Sequence, residues 1–385
     1  MVQAGVGYST HLDALEAGIE AAQQAHQAVG GRNRASLAFV IASEDLPVQK
    51  TLSGVKRVIG ECPLIGFTTN GLLLPNGGVR RAVSVALLAG DDFSARSGWY
   101  SGYHESSAQV TKQLLQELEW EGSSGLFVVG DGVNGDPLAL CAALPEDSDF
   151  LVGCLAGGGL QLGRTFQIGD QQAGAGGLAG AVISGNLVVG SGLACGWLPV
   201  GKVSRVDRVQ EHWLRSIDGV RPCDVYAQLF GYPPRAWSFP PLNEMVRQYP
   251  LAIETAVGLQ VRSPLRMEAD GSLRMNAPLK EGVLAHWMAG SVRSARETTR
   301  QAAQAALEQV GAAEPLFALL LADQAYNILF AGQPDGLVRT VREVVGESLP
   351  LAGGFTNGQI ARPRAGGPAE FFTQHVQVIV FATQR

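Results

Sequence analysis

The sequence predicts a mixed α/β protein of two consecutive domains, with helices packed on mixed parallel/antiparallel sheets. The first observation is length, because 385 residues exceed the usual size of one domain. The second is composition, since 46% apolar and 17% charged residues are enough to build large buried cores. The third is an order of helices, strands and a glycine turn that recurs along the chain.

Two distant segments follow the same order of helix, strand, helix, strand, glycine turn and strand. Both place Thr-Asn-Gly in the turn, at residues 69–71 and 356–358. A looser third copy lies between them. The first copy has helices at 12–29 and 48–59, strands at 37–41 and 83–88, and its turn at 64–71; the last has helices at 292–310 and 337–344, strands at 316–321 and 376–381, and its turn at 349–358; the middle copy has a helix at 110–118, a strand at 126–129 and its turn at 151–159.

The repeated α-β-α-β-β order also predicts how the strands pair. A strand, a helix and a second strand form a parallel pair with a right-handed crossover. The strand after the glycine turn is expected to return antiparallel, which gives a mixed sheet covered by helices. We therefore expect residues 35–90, 125–185 and 315–382 to form three related units.

Residues 221–290 fit none of these units. Proline is dense at 231–241, which makes this run the best candidate for a boundary loop, and Asp270-Gly271 predicts a hairpin over 265–273. The predicted organisation is an N-terminal helix over 1–34, a first domain over 35–215, a second domain over 220–365, and a C-terminal strand over 366–385 that completes the second domain.

Charge and composition exclude several classes of function. The net charge is −6 and no basic stripe is visible, so nucleic acid is not an expected partner. Residues 1–12 lack the pattern of a signal peptide, and five cysteines without CxxC spacing are typical of reduced thiols in a cytoplasmic protein. The uncharged run between Asp170 and Lys202 is broken by Ser184-Gly185-Asn186, which predicts a buried hairpin and no membrane insertion.

Several segments of the first domain match the motifs of one family. LIGFTTNG at 64–71 is similar to a GCSTxG element, and LFVVGDG at 126–132 is similar to an lfvlsDg strand end. LVGCLA at 151–156, followed by RTF at 164–166, is similar to vvGGlAsd…tyvf, and GWLPVG at 196–201 is similar to GWrPiG. In order and spacing, these segments resemble the N-terminal domain of the FIST family.

The second domain extends this resemblance to the FIST C-terminal domain. QVR at 260–262 resembles ylvR, LPLAGGFTNGQI at 349–360 resembles plaGfytyGEi, and FTQHV at 372–376 stands where the family has hNQTmtv. Gln359 departs from the family, which has Glu there. The resemblance implies a sensory protein that recognises a small polar molecule such as an amino acid. Its output is then expected to pass through a separate signalling protein.

The glycine turns are the candidate ligand-binding elements. Tight strand exits leave backbone N–H groups pointing into a cleft, where Thr, Asn and Arg side chains can fix a polar ligand. A guanidinium suits a carboxylate, which makes Arg164 and Arg262 candidates. The full set of candidate ligand-binding residues is Gly66, Thr68, Thr69, Asn70, Gly71, Gly153, Cys154, Arg164, Arg262, Gly353, Thr356, Asn357, Gly358 and Gln359.

These candidates lead to a specific expectation for the pocket. The best-formed cleft should be lined by Thr68, Thr69, Asn70, Thr356 and Asn357, with an arginine nearby. Short Thr and Asn side chains add directional hydrogen bonds without filling the space. Replacing Asn70 or Asn357 with Leu is expected to weaken ligand binding by about 1–3 kcal/mol without unfolding the protein.

Two other classes of function stay open. A hydrolase would need a nucleophile held by a base; because no G-x-S-x-G occurs, the candidates are Thr68 and Cys154. A haem-binding gas sensor needs only one axial histidine, and His375 and His286 are the candidates. The histidines form no HxH or HExxH, so no metal is expected. Beside these alternatives, the sequence favours a non-catalytic protein without a cofactor.

Overall fold

The computed structural model of the chain describes residues 2–31, 35–120, 125–158, 163–255, 258–331, 333–364 and 366–384. In these ranges the strands form three six-stranded sheets and one seven-stranded sheet, each of the first three containing parallel and antiparallel pairs. The predicted mixed α/β class is therefore confirmed.

The helices and strands of the described ranges are numbered in chain order. The helices are α1 (Ala14–Ala28), α2 (Val48–Ile59), α3 (Ser107–Glu117), α4 (Pro137–Ala143), α5 (Pro222–Phe230), α6 (Leu242–Met245), α7 (Val292–Val310), α8 (Gln324–Leu329) and α9 (Asp335–Val345). The strands are β1 (Gln3–Ser9), β2 (Ala35–Ser43), β3 (Leu64–Thr69), β4 (Leu72–Leu74), β5 (Gly77–Val79), β6 (Val83–Ala89), β7 (Phe93–Tyr100), β8 (Gly125–Gly130), β9 (Leu151–Leu155), β10 (Phe166–Gly169), β11 (Gln172–Ala175), β12 (Leu178–Gly185), β13 (Leu187–Cys195), β14 (Trp197–Gln210), β15 (Trp213–Ile217), β16 (Leu251–Thr255), β17 (Gly258–Arg262), β18 (Pro264–Met267), β19 (Leu273–Met275), β20 (Leu284–Gly290), β21 (Glu314–Asp323), β22 (Leu351–Thr356), β23 (Gln359–Ala361), β24 (Glu370–Phe372) and β25 (His375–Thr383).

The first three sheets share one order of connections. Their central strands are the parallel pairs β2 and β3, β8 and β9, and β21 and β22. Two further strands complete each sheet on the antiparallel side, in the orders β1-β6-β2-β3, β7-β12-β8-β9 and β13-β25-β21-β22. In each sheet the glycine turn follows the second parallel strand, which is β3, β9 or β22.

After each glycine turn, a hairpin joins the sheet of a neighbour. Hairpin β4–β5 extends the third sheet from β22, hairpin β10–β11 extends the first sheet from β3, and hairpin β23–β24 extends the second sheet from β9. These exchanges close a ring in which backbone hydrogen bonds connect every pair of sheets. The ring brings the ends of β3, β9 and β22 together.

One hydrophobic core joins the inner faces of the three sheets. The ring of Phe39 in β2 lies 5.3 Å from Phe127 in β8 and 5.2 Å from Phe381 in β25. The outer faces are covered by α1 and α2, by α3 and α4, and by α7 and α9, respectively. Because both faces are buried, central strands such as Ala35–Ser43 are almost continuously apolar, as expected for covered parallel strands.

The fourth sheet is built from residues 197–290 and has the order β17-β16-β20-β14-β15-β19-β18. The hairpin predicted at 265–273 is present as β18 and β19. Strands β14 and β15, from the predicted first domain, pair in this sheet with strands after residue 250, and β13 pairs with β25 at the C-terminus. Both predicted domains therefore contribute strands to shared sheets.

The hairpin predicted at Ser184-Gly185-Asn186 is wrong. The chain does reverse there, and Gly185 has a φ of +112°, but the strands on either side enter different sheets. Strand β12 lies between β7 and β8, whereas β13 pairs with β25. The turn therefore connects two sheets, because β12 already has a neighbour on each side.

The N-terminal segment also differs from the predicted single helix over 1–34. Strand β1 precedes α1 and pairs with β6, and Leu12, where the predicted helix over 12–29 begins, is 74% exposed. The buried face of α1 consists of alanines and Gly18. A Cβ on Gly18 would lie 2.3 Å from the carbonyl oxygen of Thr51 in α2, so small residues allow the two helices to pack closely.

Candidate functional site

The three glycine turns meet where β3, β9 and β22 end. The N–H of Gly157 donates to the carbonyl of Thr68 at 3.0 Å, and the N–H of Phe355 donates to Gly71 at 3.1 Å. The N–H of Asn357 donates to Leu155 at 3.0 Å, which closes the ring. Each turn is thus bonded to the other two, and we call residues 68–71, 155–158 and 355–358 the turn ring.

The glycines of the repeated motif allow close backbone approach. A Cβ on Gly66, Gly153 or Gly353 would lie 1.9, 2.3 or 2.2 Å from a carbonyl oxygen of the neighbouring parallel strand. At the turn ring itself, a Cβ on Gly157 would lie 1.9 Å from the carbonyl oxygen of Phe355. These glycines are required for packing of the backbone, and none of these four lines the cleft described below.

Replacing Gly157 with Ala should therefore destabilise the protein by about 3 kcal/mol or more, because the rigid backbone of a second turn must move. Urea unfolding measures the effect. The matched control is Gly231→Ala, since a Cβ there meets nothing within 4 Å and only the left-handed backbone conformation, with a φ of +81°, opposes it. That control should cost about 1 kcal/mol. Equal losses in the two variants would show that the turns are not tightly packed.

The threonines of the turns bond to the protein itself. Thr68 Oγ1 accepts from the N–H of Phe166 at 3.1 Å, and Thr69 Oγ1 donates to the carbonyl of Phe355 at 2.8 Å. Thr356 Oγ1 accepts from Gln359 Nε2 at 2.8 Å. These hydroxyls hold the turns in place.

Asn357 connects the turn ring to its surroundings. The side chain is 2% exposed, and its Nδ2 donates to the carbonyls of Gly132 and Gly158, both at 3.1 Å. Its Oδ1 accepts from the guanidinium of Arg247 at 3.3 Å. Asn357 thus positions an arginine at the turn ring.

A cleft of about 530 Å³ opens beside the turn ring. All three turns contribute to its wall, through Asn70 and Gly71, through Gly158, and through Phe355. Hairpin β4–β5, helix α8, the segment around α6 and the connections after β2, after β5 and before α9 supply the rest. The remaining lining residues are Glu44, Asp45, Leu72, Gly78, Val79, Arg80, Glu244, Arg247, Gln324, Asn327, Ile328 and Pro334.

Arg247 is the buried cation of this cleft. It is 2% exposed, and its Nε donates to the carbonyl of Leu265 at 3.2 Å. The acceptors bonded to its guanidinium are neutral, and among the described residues no carboxylate lies within ion-pair distance. Burial lowers the pKa of Arg247, while the more distant charges of Asp323 and Glu244 raise it. A buried guanidinium without an ion pair favours an anion in the adjacent space.

Two buried amide oxygens also lack partners. Asn70 Oδ1 and Gln324 Oε1 are inaccessible to solvent and make no hydrogen bond within the part of the chain that the structure describes. Both residues line the cleft with Arg247. Buried acceptors without donors are costly, so these oxygens suit the N–H groups of a ligand.

The remaining predicted site residues lie elsewhere. Arg262 is 4% exposed and donates to Gln260 Oε1 at 2.7 Å, away from the cleft lining. Arg164 is exposed, with its guanidinium over the ring of Phe166. Cys154 is fully buried in the common core, and burial raises the pKa of its thiol. Gly358 packs against Phe371, which lies 2.4 Å from where its Cβ would be.

The two histidines considered for haem lie outside the cleft lining. His286 Nε2 lies 3.3 Å from Glu254 Oε1 on the fourth sheet. His375 Nδ1 lies 2.6 Å from the carbonyl oxygen of Thr373. Burial lowers the pKa of His375 to about 4, so this ring is neutral near pH 7.

The lowered pKa of His375 predicts a dependence of stability on pH. Since the unfolded chain binds a proton as the pH falls below about 6.5 and the folded chain only near pH 4, the stabilising contribution is complete above about 6.5 and is lost as the pH falls toward 4. Relative to His375→Gln, the free energy of unfolding should fall by about 2–3 kcal/mol between about pH 7 and pH 4.5. Urea unfolding of both proteins at several pH values measures this. If their free energies of unfolding fall equally with pH, the prediction is wrong.

The described residues lack two features that would indicate other kinds of function. They contain no group of three or more His, Cys, Asp or Glu side chains that could hold a metal ion. No helix in these ranges is long and apolar enough to cross a membrane.

Sequence patterns missed Arg247, Gln324 and Glu244. Arg247 and Glu244 lie in the stretch that fits no repeated unit, where local periodicity offers no signal. Gln324 follows β21 directly, and the polar Asp323-Gln324 step after an apolar strand could have marked it as a strand-end residue.

Comparison with known proteins identifies a family. Models of the FIST N domain and the FIST C domain match residues 36–220 and 222–362. Among curated proteins, none matches the chain. Among solved structures, cyanuric acid hydrolase from A. caulinodans shares 9% identity at a TM-score of 0.38, over 100% of this chain and 99% of that one. Phosphoribosylformylglycinamidine synthase II from Thermotoga maritima shares 10% identity at a TM-score of 0.25, over 99% of this chain and 72% of that one.

TM-scores in this range do not establish a shared fold, whereas the family models match consecutive regions that cover most of the sequence. FIST domains are sensory domains of signal transduction. The chain, matched from residue 36 to residue 220 and from 222 to 362, belongs to the FIST family.

Proposed function

We propose that this protein is an intracellular sensor that binds a small, amino-acid-like metabolite in the cleft beside the turn ring and signals through a separate protein. The observation that carries the proposal is the buried guanidinium of Arg247, which faces the cleft and has only neutral acceptors. A ligand carboxylate would supply the missing anion in a geometry that guanidinium favours.

The other polar groups of the cleft complete a site for an amino-acid head group. Asn70 Oδ1 and Gln324 Oε1, which make no hydrogen bond among the described residues, would accept from the ligand ammonium. Donors for a carboxylate and acceptors for an ammonium thus line one cavity. Its volume of about 530 Å³ is in the range of small-molecule sites.

Binding is favoured over hydrolysis by the positions of the candidate nucleophiles. Thr68 bonds to the backbone of Phe166, and Cys154 is buried with a raised thiol pKa. Neither side chain lines the cleft. A nucleophile must reach its substrate and be activated by a base, and these two residues meet neither requirement.

Signalling would follow from where the cleft lies. Its wall combines hairpin β4–β5, all three turns, helix α8 and the segment that carries Arg247. A ligand that touches elements of several sheets would shift the population toward the arrangement of these elements that it binds more tightly. A partner that recognises one arrangement would read the occupancy of the cleft.

A thermal-shift screen with L-amino acids and their head-group analogues tests the proposal. A ligand at 100 times its dissociation constant should stabilise the protein by about 2.7 kcal/mol. The amide of the amino acid lacks the carboxylate, and its N-acetyl derivative lacks the ammonium. Neither analogue should therefore stabilise the protein. If either analogue stabilises as well as its parent, or if no amino acid does, the head-group proposal is wrong.

A further inference from the structure

We infer that Glu244 is the counter-charge of the ligand ammonium, so that the preferred ligands are primary α-amino acids, which Glu244 and Arg247 bind as an opposite pair. This inference rests on the proposed function, because it assumes that the carboxylate of the ligand meets Arg247 in the cleft. It assigns a specificity-determining role to a charged side chain that the proposed function does not use.

Among the carboxylates that line the cleft, Glu244 is the one that is available to a ligand cation. Asp45 pairs with Arg80 at 3.7 Å, and Glu44 already interacts with another group of the protein. Glu244 is half-buried, and within the described ranges its carboxylate makes no hydrogen bond and no ion pair. A partly buried carboxylate without a bonded cation favours a positive charge in the adjacent space.

The chain places Glu244 and Arg247 on one face of a helical segment. A 3₁₀ turn over Val246–Gln248 follows α6 directly, and residues three apart in such turns lie one above the other. Both side chains line the cleft, yet their charged atoms lie further apart than the roughly 4 Å of an ion pair. Two opposite charges that face one cavity without bonding to each other can be bridged by a ligand that carries both complementary charges.

The head group of a primary α-amino acid matches this arrangement. Its carboxylate and its ammonium are attached to one carbon, so a ligand whose carboxylate meets Arg247 presents its ammonium to the same wall of the cleft. An ammonium has three N–H donors, and the carboxylate of Glu244 adds a third acceptor to Asn70 Oδ1 and Gln324 Oε1. A carboxylic acid without the ammonium would bring a second negative charge toward Glu244, and a secondary amine would lose one of the three donors.

Ligand-observed NMR titration with L-alanine and two analogues tests the inference. L-Alanine should bind about tenfold more tightly than propionate, which lacks the ammonium, and about threefold more tightly than N-methyl-L-alanine, which keeps the charge and loses one N–H. Glu244→Gln should weaken the binding of L-alanine about fivefold or more. The same variant should leave the affinity for propionate unchanged or raise it, because a negative charge that repels propionate has been removed. The control Glu308→Gln, on the exposed face of α7, should change neither affinity.

The outcomes separate this inference from the proposed function. If Glu244→Gln keeps the preference of the wild-type protein for L-alanine over propionate, or if Glu44→Gln loses it instead, the role of Glu244 is wrong and the head-group site stands. If N-methyl-L-alanine binds as tightly as L-alanine, the preference for a primary ammonium is wrong. If L-alanine and propionate bind equally to the wild-type protein, both proposals fail. If L-alanine does not bind, this inference is wrong, and the thermal-shift screen decides the proposed function separately. Thermal unfolding of each glutamine variant checks that the fold is intact.

Discussion

Replacing Arg247 with Met should remove recognition of the amino-acid ligand, with a loss of roughly 2–5 kcal/mol in binding free energy. The guanidinium is buried and faces the cleft, and its bonded partners, Leu265 and Asn357, are neutral. Methionine keeps much of the side-chain volume and removes the charge. Calorimetric titration of the variant with the ligand that stabilises the wild-type protein best measures the effect.

The matched control is Arg262→Met. Arg262 is also buried, at 4% exposure, and also donates to neutral oxygens, those of Gln260 and Val261, but it does not line the cleft. Both variants should lose some stability, whereas only Arg247→Met should lose affinity. Equal affinities in the two variants would contradict the role of Arg247, whatever their thermal midpoints.

Replacing Asn357 with Leu should destabilise the fold by about 4 kcal/mol or more, since several buried groups lose their partners at once. Its amide bonds to the carbonyls of Gly132 and Gly158 and to the guanidinium of Arg247. This differs from the sequence-based expectation that Asn357→Leu weakens ligand binding without unfolding. Urea unfolding of the purified variant measures the free energy.

Asn70→Leu is the control, because Asn70 occupies the corresponding place in the first Thr-Asn-Gly turn. Its Oδ1 makes no hydrogen bond among the described residues, so leucine should cost less than about 1 kcal/mol of stability. Ligand affinity should nevertheless fall by about 1–3 kcal/mol. Similar stabilities for the two leucine variants would show that the asparagines are equivalent, against the geometry described above.

The local pattern of apolar residues and glycine turns was sufficient to predict the fold class and the parallel strand pairs. The apolar runs that became β2, β8 and β21 are each followed by a helix and a glycine turn, and the short connection fixes the pairing. The exchange of hairpins was not predictable, because a hairpin signal does not state which sheet it extends. Strand β4 pairs with β22 through Leu72 and Gly354, which are far apart in the sequence.

The wrong predictions for the N-terminal segment and for the turn at Gly185 have the same physical origin. In α1 the large side chains of Leu15 and Ile19 are only half-buried, and the alanines form the contact. At Gly185, the turn was predicted correctly, but the two strands that it connects lie in different sheets and do not pair with each other. In both places, packing between elements decided what a local pattern leaves open.

The candidate site was partly predictable for a related reason. Asn70 and Gly71 were found because the repeated Thr-Asn-Gly motif marks a strand exit, and both line the cleft. The sequence indicated Arg262 and Arg164 as the candidate arginines of the site and gave no signal for Arg247. What distinguishes Arg247 is its contact with Asn357, which lies in a different part of the chain and which only the folded arrangement brings close.

A crystal structure of the protein with the amino acid that gives the largest thermal shift tests the central claim most directly. We predict that the ligand carboxylate lies within about 2.7–3.2 Å of Arg247 Nη1 or Nη2, and that its ammonium lies at the same distance from Asn70 Oδ1 or Gln324 Oε1. A ligand bound in this cleft with its carboxylate away from Arg247 would contradict the account. So would a ligand bound at a site remote from the turn ring, such as the cavity beside Trp287 and Tyr249.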